Sequence, residues 1–248
     1  MLELLAVAAA GAAAGASNSI AGAGSLITFP TMVALGLPPL SANVTNTVGI
    51  VPGYVGGILG YSDLLREQRE RFVRFLVPML IGAVLGTVAL LLTSDAAFEA
   101  IVPALVAASC LLLFFQPQLT ARLTHAGNEH SPYLTAGLLF CGAYGAYFGS
   151  AVSILLFAIL ALFVADTLQH LNAMKIILIG CANLLAACAY AFLAPVEWSY
   201  VAVLMVSSLI GGRVGAHYAR RIPSDPLRIT IAGFGLVVAV VLAVRAFG

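Results

Sequence analysis

The chain of 248 residues is strongly apolar: 62% of its residues are hydrophobic, 8% are charged, and the mean hydropathy is +1.07. A soluble domain carries about a quarter charged residues, so this composition indicates a protein of the lipid bilayer. The net charge of +1 argues against a nucleic-acid partner. The uncharged runs approach the roughly 17–25 residues that a spanning helix needs, and alternating strand patterning is absent. The sequence therefore predicts an all-α polytopic membrane protein.

The first apolar segment, Met1–Leu37, is predicted to form a hairpin of two short helices. One upright helix of this length would reach about 50 Å, against a hydrocarbon core of about 30 Å, and a polar, glycine-rich break interrupts the segment. A helix starting after the break would direct unpaired N–H groups and its positive dipole end at it, which favours an anion. The candidate substrate ligands there are Asn18, Gly24 and Ser25. The alternative is that these small residues only allow close helix packing.

Three plain spans complete the first half, and we expect them at Ala42–Tyr61, Phe72–Leu92 and Phe98–Phe115. The first span begins with several amide and hydroxyl side chains, which are costly in an apolar helix unless they meet partners. The candidate substrate ligands in these turns are Asn43, Thr45 and Asn46. The alternative is a network that caps helices and binds neighbouring backbone.

A polar linker, Gln116–His130, joins the first half, residues 1–115, to the second half, residues 131–248. The second half opens with Pro132–Ala165, for which we expect another broken hairpin. Its candidate ligands, at the break, are Gly149 and Ser150. Three further spans are predicted at Leu171–Phe192, Tyr200–Tyr218 and Leu227–Val244.

Asn172 and Lys175 lie three residues apart near the start of one of these spans, and both are candidate substrate ligands. Lys175 is the only lysine of the chain. An ionisable group inside a span is costly and usually functional. It would neutralise an anionic substrate or pair with Asp166; the alternative is that it snorkels to the cytoplasmic interface.

The two halves match when residues are shifted by 129 positions, which places Gly82 and Gly86 on Gly211 and Gly215. Their basic loops, however, do not match, and basic residues stay on the cytoplasmic side. These loops hold Arg66, Arg69, Arg71 and Arg74 in the first half and Arg220, Arg221 and Arg228 in the second. Matching loops therefore lie on opposite sides, which predicts inverted-topology repeats, common in secondary transporters. We expect one integrated membrane domain of about 8–10 membrane segments, with the linker in the cytoplasm. Each repeat would be a broken hairpin plus three transmembrane helices.

The predicted spans embed no carboxylate pair, which disfavours a cation transporter and suits an anion. Nucleophile–base sets do not cluster, so no enzyme activity is expected, and no catalytic residue, metal or cofactor is predicted. The sequence favours a multi-pass transporter of a small anion in the cell inner membrane. Access would alternate as one repeat-derived bundle rocks against the other. A carrier of another small anion and an anion channel are the alternatives, although a channel would show a continuous polar stripe. The oligomeric state stays open, with a homodimer as one candidate.

The run AGAGSLITFPTMVALGLPPLSANVTNTVGIVPGYVGGILGY, Ala21–Tyr61, resembles the TauE/SafE family of sulfite and organosulfonate exporters. In that family a glycine-rich turn with a serine precedes a phenylalanine-proline span. A Leu-Gly-Leu-Pro-Pro-like turn and an Ala-Asn-x-Thr-Asn stretch follow. The run LNAMK, Leu171–Lys175, resembles a second family pattern, with Met174 where a hydroxyl residue is common. The resemblance implies movement of small sulfur-containing anions, sulfite or short sulfonates, chiefly out of the cytoplasm.

Overall fold

The computed structural model of the protein describes residues 1–20, 22–60, 69–121, 128–218 and 224–247. All regular secondary structure in these ranges is helical, which confirms the predicted all-α class. Five residues used in the sequence argument lie outside the described residues: Ala21, Tyr61, Arg66, Arg220 and Arg221. The described helices are α1 (Leu2–Ile20), α2 (Ser25–Ala34), α3 (Pro39–Gly60), α4 (Arg69–Leu92), α5 (Asp95–Phe114), α6 (Gln116–Ala121), α7 (Pro132–Tyr147), α8 (Val152–Phe163), α9 (Leu168–Leu193), α10 (Trp198–Tyr218) and α11 (Ser224–Phe247).

Both long apolar segments break where the sequence predicts. The first break separates α1 from α2, and Gly22 within it has φ of 72°. The second break separates α7 from α8, with Gly149 at φ of 76° and Ala151 at φ of 60°. These left-handed conformations end each first helix, because a residue with positive φ cannot continue a right-handed helix.

The plain spans start about one turn before the predicted apolar runs, and two of them, α5 and α9, begin at polar caps. The Ser94 hydroxyl accepts a hydrogen bond from the Ala97 N–H, and the Thr167 hydroxyl accepts one from the His170 N–H. Such caps satisfy N–H groups that the first turn of a helix leaves unpaired. The linker contains the short helix α6, which the sequence analysis does not predict.

Three of the described helices are long and apolar enough to cross a membrane: α4, α5 and most of α9, from Gln169 to Leu193. Shorter apolar helices cover Leu2–Asn18, Ser25–Ala34, Val152–Phe163, Trp198–Val214 and Ile229–Val244. One face of α4 exposes large aliphatic side chains, namely Val73, Val77, Ile81, Val84, Leu85 and Val88. An exposed apolar stripe of this length suits contact with lipid. The chain is therefore a polytopic membrane protein.

The helices of the two halves pack in corresponding pairs. α1 of the first half packs along α10 of the second half, and α7 of the second half packs along α4 of the first half, while α3 contacts α9 between them. Both outer pairs rely on glycine, since a methyl group on Gly86 would lie 2.0 Å from the Ala143 carbonyl oxygen. A methyl group on Gly211 would lie 2.0 Å from the Ala12 carbonyl oxygen. These glycines therefore serve close backbone approach, as small residues commonly do between membrane helices. The inverted orientation of the halves stays a prediction.

One end of the bundle holds an ion-pair network. Arg71 binds Glu129 and Asp166, each at 2.6 Å, and Arg74 binds Glu129 at 2.9 Å. His170 Nδ1 lies 2.6 Å from Asp166. The network joins α4, the end of the linker and the connection between α8 and α9, which the topology prediction places together in the cytoplasm.

The opposite end of the bundle is held by hydrogen bonds rather than by ion pairs among the described residues. The Tyr200 hydroxyl donates to Glu3 at 3.2 Å, and the Glu197 N–H donates to the Thr45 hydroxyl at 3.0 Å. These contacts connect the start of α1, the connection between α9 and α10, and the start of α3. The same prediction places these segments outside.

Candidate functional site

The two breaks meet inside the bundle. A methyl group on Gly22, in the first break, would lie 2.8 Å from Ser153 Cβ, in the first turn of α8. The rings of Phe29 in α2 and Phe148 in the second break pack edge to face, with centroids 5.4 Å apart. The interrupted segments of the two halves therefore form one shared region in the interior.

A cavity lies beside this region, with a volume of about 70 Å³. One water needs about 10–15 Å³ on this scale, whereas a pocket for a drug-sized ligand has about 300–1,000 Å³. The cavity thus suits a small ion with or without waters. It is lined by Gly15, Asn18, Ile50, Gly53, Tyr54, Ser153, Lys175, Ile176, Ser208 and Gly212.

Lys175 supplies a cation to this cavity. Its Nζ lies 5.6 Å from the centroid of the Phe157 ring, and among the described residues it forms no ion pair. The expected alternative partner, Asp166, instead pairs with Arg71 and His170. Within the described part of the chain the half-buried Lys175 side chain has only a weak cation–π partner, so its charge is available to a ligand.

Asn18 is the second predicted ligand that lines the cavity. Its Oδ1 accepts a hydrogen bond from the Gly24 N–H at 2.8 Å. This contact fixes the amide so that Nδ2 is the donor that remains. The Gly24 N–H is thus engaged by Asn18, and a role for Gly24 as a substrate ligand stays a prediction. Its Cβ position is also occupied, since a methyl group there would lie 2.5 Å from the Ala14 carbonyl oxygen. Gly24 positions Asn18.

The polar turns of α3 bind other protein groups. Asn43 Nδ2 donates to the Tyr147 carbonyl at 2.8 Å, at the end of α7. The Thr28 hydroxyl in α2 donates to Asn46 Oδ1, and the Thr45 hydroxyl accepts from the Glu197 N–H. The structure thus shows the contacts of the alternative interpretation, a network that caps helices and binds backbone. A role for these three side chains as substrate ligands stays a prediction.

The remaining candidates lie around the breaks and in α9. The Gly149 N–H donates to the Tyr144 carbonyl at 3.0 Å, while the Ser150 carbonyl accepts from the Tyr144 hydroxyl at 2.8 Å. The Ser150 hydroxyl is buried and has no hydrogen-bond partner among the described residues. Ser25 begins α2 and is buried, and Asn172 is half-buried in α9 one turn before Lys175. Their roles as ligands also stay predictions.

The sequence analysis does not identify three hydroxyl groups that line the cavity: Tyr54, Ser153 and Ser208. Ser153 lies in the first turn of α8, directly after the second break, and this position could have indicated a polar group near the site. Tyr54 and Ser208 lie deep in apolar helices, where nothing in the local pattern separates a cavity-lining hydroxyl from a packed one.

The comparison with known proteins decides the family. Residues 7–242 match the family described as Sulfite exporter TauE/SafE. The chain belongs to this family. It is 28% identical over 207 residues to a "Probable membrane transporter protein" of Haemophilus influenzae, covering 80% of this chain and 78% of the relative. It is 25% identical over 233 residues to "Probable membrane transporter protein ORF9" of Sinorhizobium sp, covering 94% of this chain and 87% of the relative.

The match confirms the resemblance seen in the first-half motif. This TauE/SafE protein is a membrane transporter, and membership of the family implies a small-molecule substrate. The family and the relatives are transporters, which points away from an enzyme.

Proposed function

We propose that this TauE/SafE protein exports a small sulfur-containing anion, sulfite or a short organosulfonate, across the cell inner membrane by alternating access. One observation carries the proposal: the cavity beside the two breaks is lined by the Lys175 ammonium and the Asn18 amide. The name of the matched family supports the sulfur-containing class.

The charge of the cavity favours an anion. Its lining contains one cation, Lys175, and no carboxylate among the described residues. Inside a membrane protein the effective dielectric is low, so a single unpaired ammonium attracts an anion far more strongly than a surface lysine does. Hydroxyl and amide groups around it supply hydrogen bonds to the oxygens of a sulfite or sulfonate.

The position of the cavity supports loading from the cytoplasm. Tyr54 and Gly212 lie in the last third of α3 and α10, whose ends the topology prediction places inside. Lys175 lies two turns from the start of α9, at the same predicted side. Towards the other side the bundle is tied by the bonds from Asn43 to Tyr147 and from Glu197 to Thr45.

Binding measurements test the proposal. Purified protein is titrated with sulfite, sulfate, thiosulfate and methanesulfonate, and sulfite or the sulfonate should bind most tightly. Lys175→Ala should weaken this binding at least about tenfold, because losing the partner of a desolvated charge costs about 2–5 kcal/mol. Arg69→Ala removes an exposed arginine of α4 and should leave the affinity unchanged.

Two results would contradict the proposal. If the Lys175→Ala protein binds and transports like the parent, the anion-binding site lies elsewhere. If none of the four anions binds, the substrate class is wrong. Transport direction is measured with oriented vesicles, and export requires ATP-independent uptake of sulfite into inside-out vesicles.

A further inference from the structure

We propose that Ser208 in α10 is a substrate ligand and that Gly53 in α3 keeps the space beside its hydroxyl open for the anion. This inference rests on the proposed function and assigns two further residues to the same cavity. Both residues line it together with Lys175 and Asn18.

The first argument is the unsatisfied hydroxyl of Ser208. The residue is 2% exposed, and its Oγ has no hydrogen-bond partner among the described residues. A buried hydroxyl without a partner destabilises a folded protein. Ser207, one position earlier, shows the usual solution in a helix, since its Oγ donates to the Val203 carbonyl at 2.7 Å. Ser208 lacks such a contact, so its hydroxyl remains available to a ligand.

The second argument is the space in front of that hydroxyl. A methyl group built on Gly53 would lie 4.0 Å from Ser208 Oγ, with no closer contact to any described residue. By contrast, a methyl group on Gly15, which lines the same cavity, would lie 2.2 Å from the Ser208 carbonyl oxygen. Gly15 is therefore a packing residue, whereas a methyl group on Gly53 would fit and would reach the Ser208 hydroxyl at van der Waals distance. A side chain at position 53 would therefore occupy part of the cavity next to the Ser208 hydroxyl.

The third argument is the set of donors. Lys175 offers an ammonium, and Asn18 keeps Nδ2 because its Oδ1 accepts from the Gly24 N–H. Ser208 adds a hydroxyl from a third helix, so the donors come from α1, α9 and α10. Sulfite and a sulfonate each carry three oxygens on one sulfur, and three donors that line one cavity match such a group in number.

The test compares two variants with two matched controls, using sulfite and methanesulfonate as probes. Ser208→Ala should weaken binding about 10- to 150-fold, the effect of losing a hydrogen bond to a charged group. Gly53→Ala should weaken anion binding at least about tenfold by placing a methyl group in the cavity. The controls are Ser207→Ala, whose hydroxyl already binds backbone, and Gly233→Ala, where a methyl group meets no described atom within 4 Å. Both controls should bind like the parent.

Thermal stability without ligand separates this role from a structural one. Ser208→Ala removes an unsatisfied polar atom and Gly53→Ala replaces glycine within a helix, so both proteins should unfold at or above the parent temperature. Parent-like binding by Ser208→Ala, or a lower unfolding temperature for that protein, overturns the inference. If Lys175→Ala loses binding and Ser208→Ala does not, only this inference falls; if the parent binds neither probe, the proposed function falls with it.

Discussion

Replacing Asp166 by asparagine should loosen the end of the bundle that holds the ion-pair network. The carboxylate is 15% exposed and accepts hydrogen bonds from Arg71 Nη1 at 2.6 Å, His170 Nδ1 at 2.6 Å and the Thr167 N–H at 2.7 Å. Burial alone would raise the pKa of Asp166, but the hydrogen bonds from His170, the Thr167 backbone and Arg71 outweigh it and lower the pKa. The charged form is therefore favoured in the folded protein.

The expected loss follows from these contacts. A buried hydrogen bond to a charged group contributes about 1.5–3 kcal/mol, but exposed ion pairs contribute only about 0–1 kcal/mol. The Arg71 side chain is 26% exposed and keeps Glu129 as a second partner, so the lower part of the range applies to it. Together the contacts give about 2–3 kcal/mol for Asp166→Asn. In a chain of 248 residues this lowers the unfolding temperature by about 4–12 °C.

The assay is thermal unfolding of the purified protein in detergent, with Glu70→Gln as the control. Glu70 is exposed and lies in the same turn of α4 as Arg71, so the Glu70→Gln protein should unfold like the parent. Because the folded pKa of Asp166 lies below the unfolded value of about 3.9, its contribution is complete above that value and disappears as the pH falls through the folded pKa. Asp166→Asn should therefore approach the parent in acid. Equal unfolding temperatures for Asp166→Asn and Glu70→Gln at neutral pH would refute the reasoning.

Three further predictions concern topology and packing. Cysteine labelling in intact cells should find the arginine-rich loops, Arg66–Arg74 and Arg220–Arg228, inside. It should find the matching loops, Thr93–Glu99 and Pro195–Tyr200, outside. Labelling of both kinds of loop from one side of the membrane would contradict the inverted repeat. Gly86→Ala should destabilise the protein by about 1–3 kcal/mol in thermal unfolding, because its methyl group collides with Ala143, and stability equal to that of Gly233→Ala would contradict this. Asn43→Ala should cost about 1–3 kcal/mol by leaving the Tyr147 carbonyl unpaired, a loss that an unchanged unfolding temperature would exclude.

The architecture could be predicted from the sequence because its signals are local. Segment length and glycine content placed both breaks, and the uninterrupted apolar runs placed the plain spans to within about a turn. The starts of α5 and α9 lie outside the predicted runs because their caps, Ser94 and Thr167, are polar and do not belong to an apolar run.

The contacts of the site could not be predicted from the sequence, because the residues that bind each other are far apart along the chain. Asn43 looks the same whether it binds a substrate or the carbonyl of Tyr147, 104 residues away. Asp166 is nine residues from Lys175 but pairs with Arg71, 95 residues away. Ser207 and Ser208 are adjacent and chemically identical, and only the packing of α10 sends one hydroxyl to its own backbone and leaves the other at the cavity.

The glycine contacts between α1 and α10 and between α4 and α7 bear on which parts of the transporter can move. Each pair takes one helix from each half, and in each pair backbone atoms touch without intervening side chains. Rocking one half as a unit against the other would have to pull both pairs apart. A displacement that carries α1 with α10, and α4 with α7, preserves both contacts. Each rigid body of a transport cycle would then contain helices from both halves. One would include α1 and α10 and the other α4 and α7, and the paired helices α3 and α9 would form the interface between them.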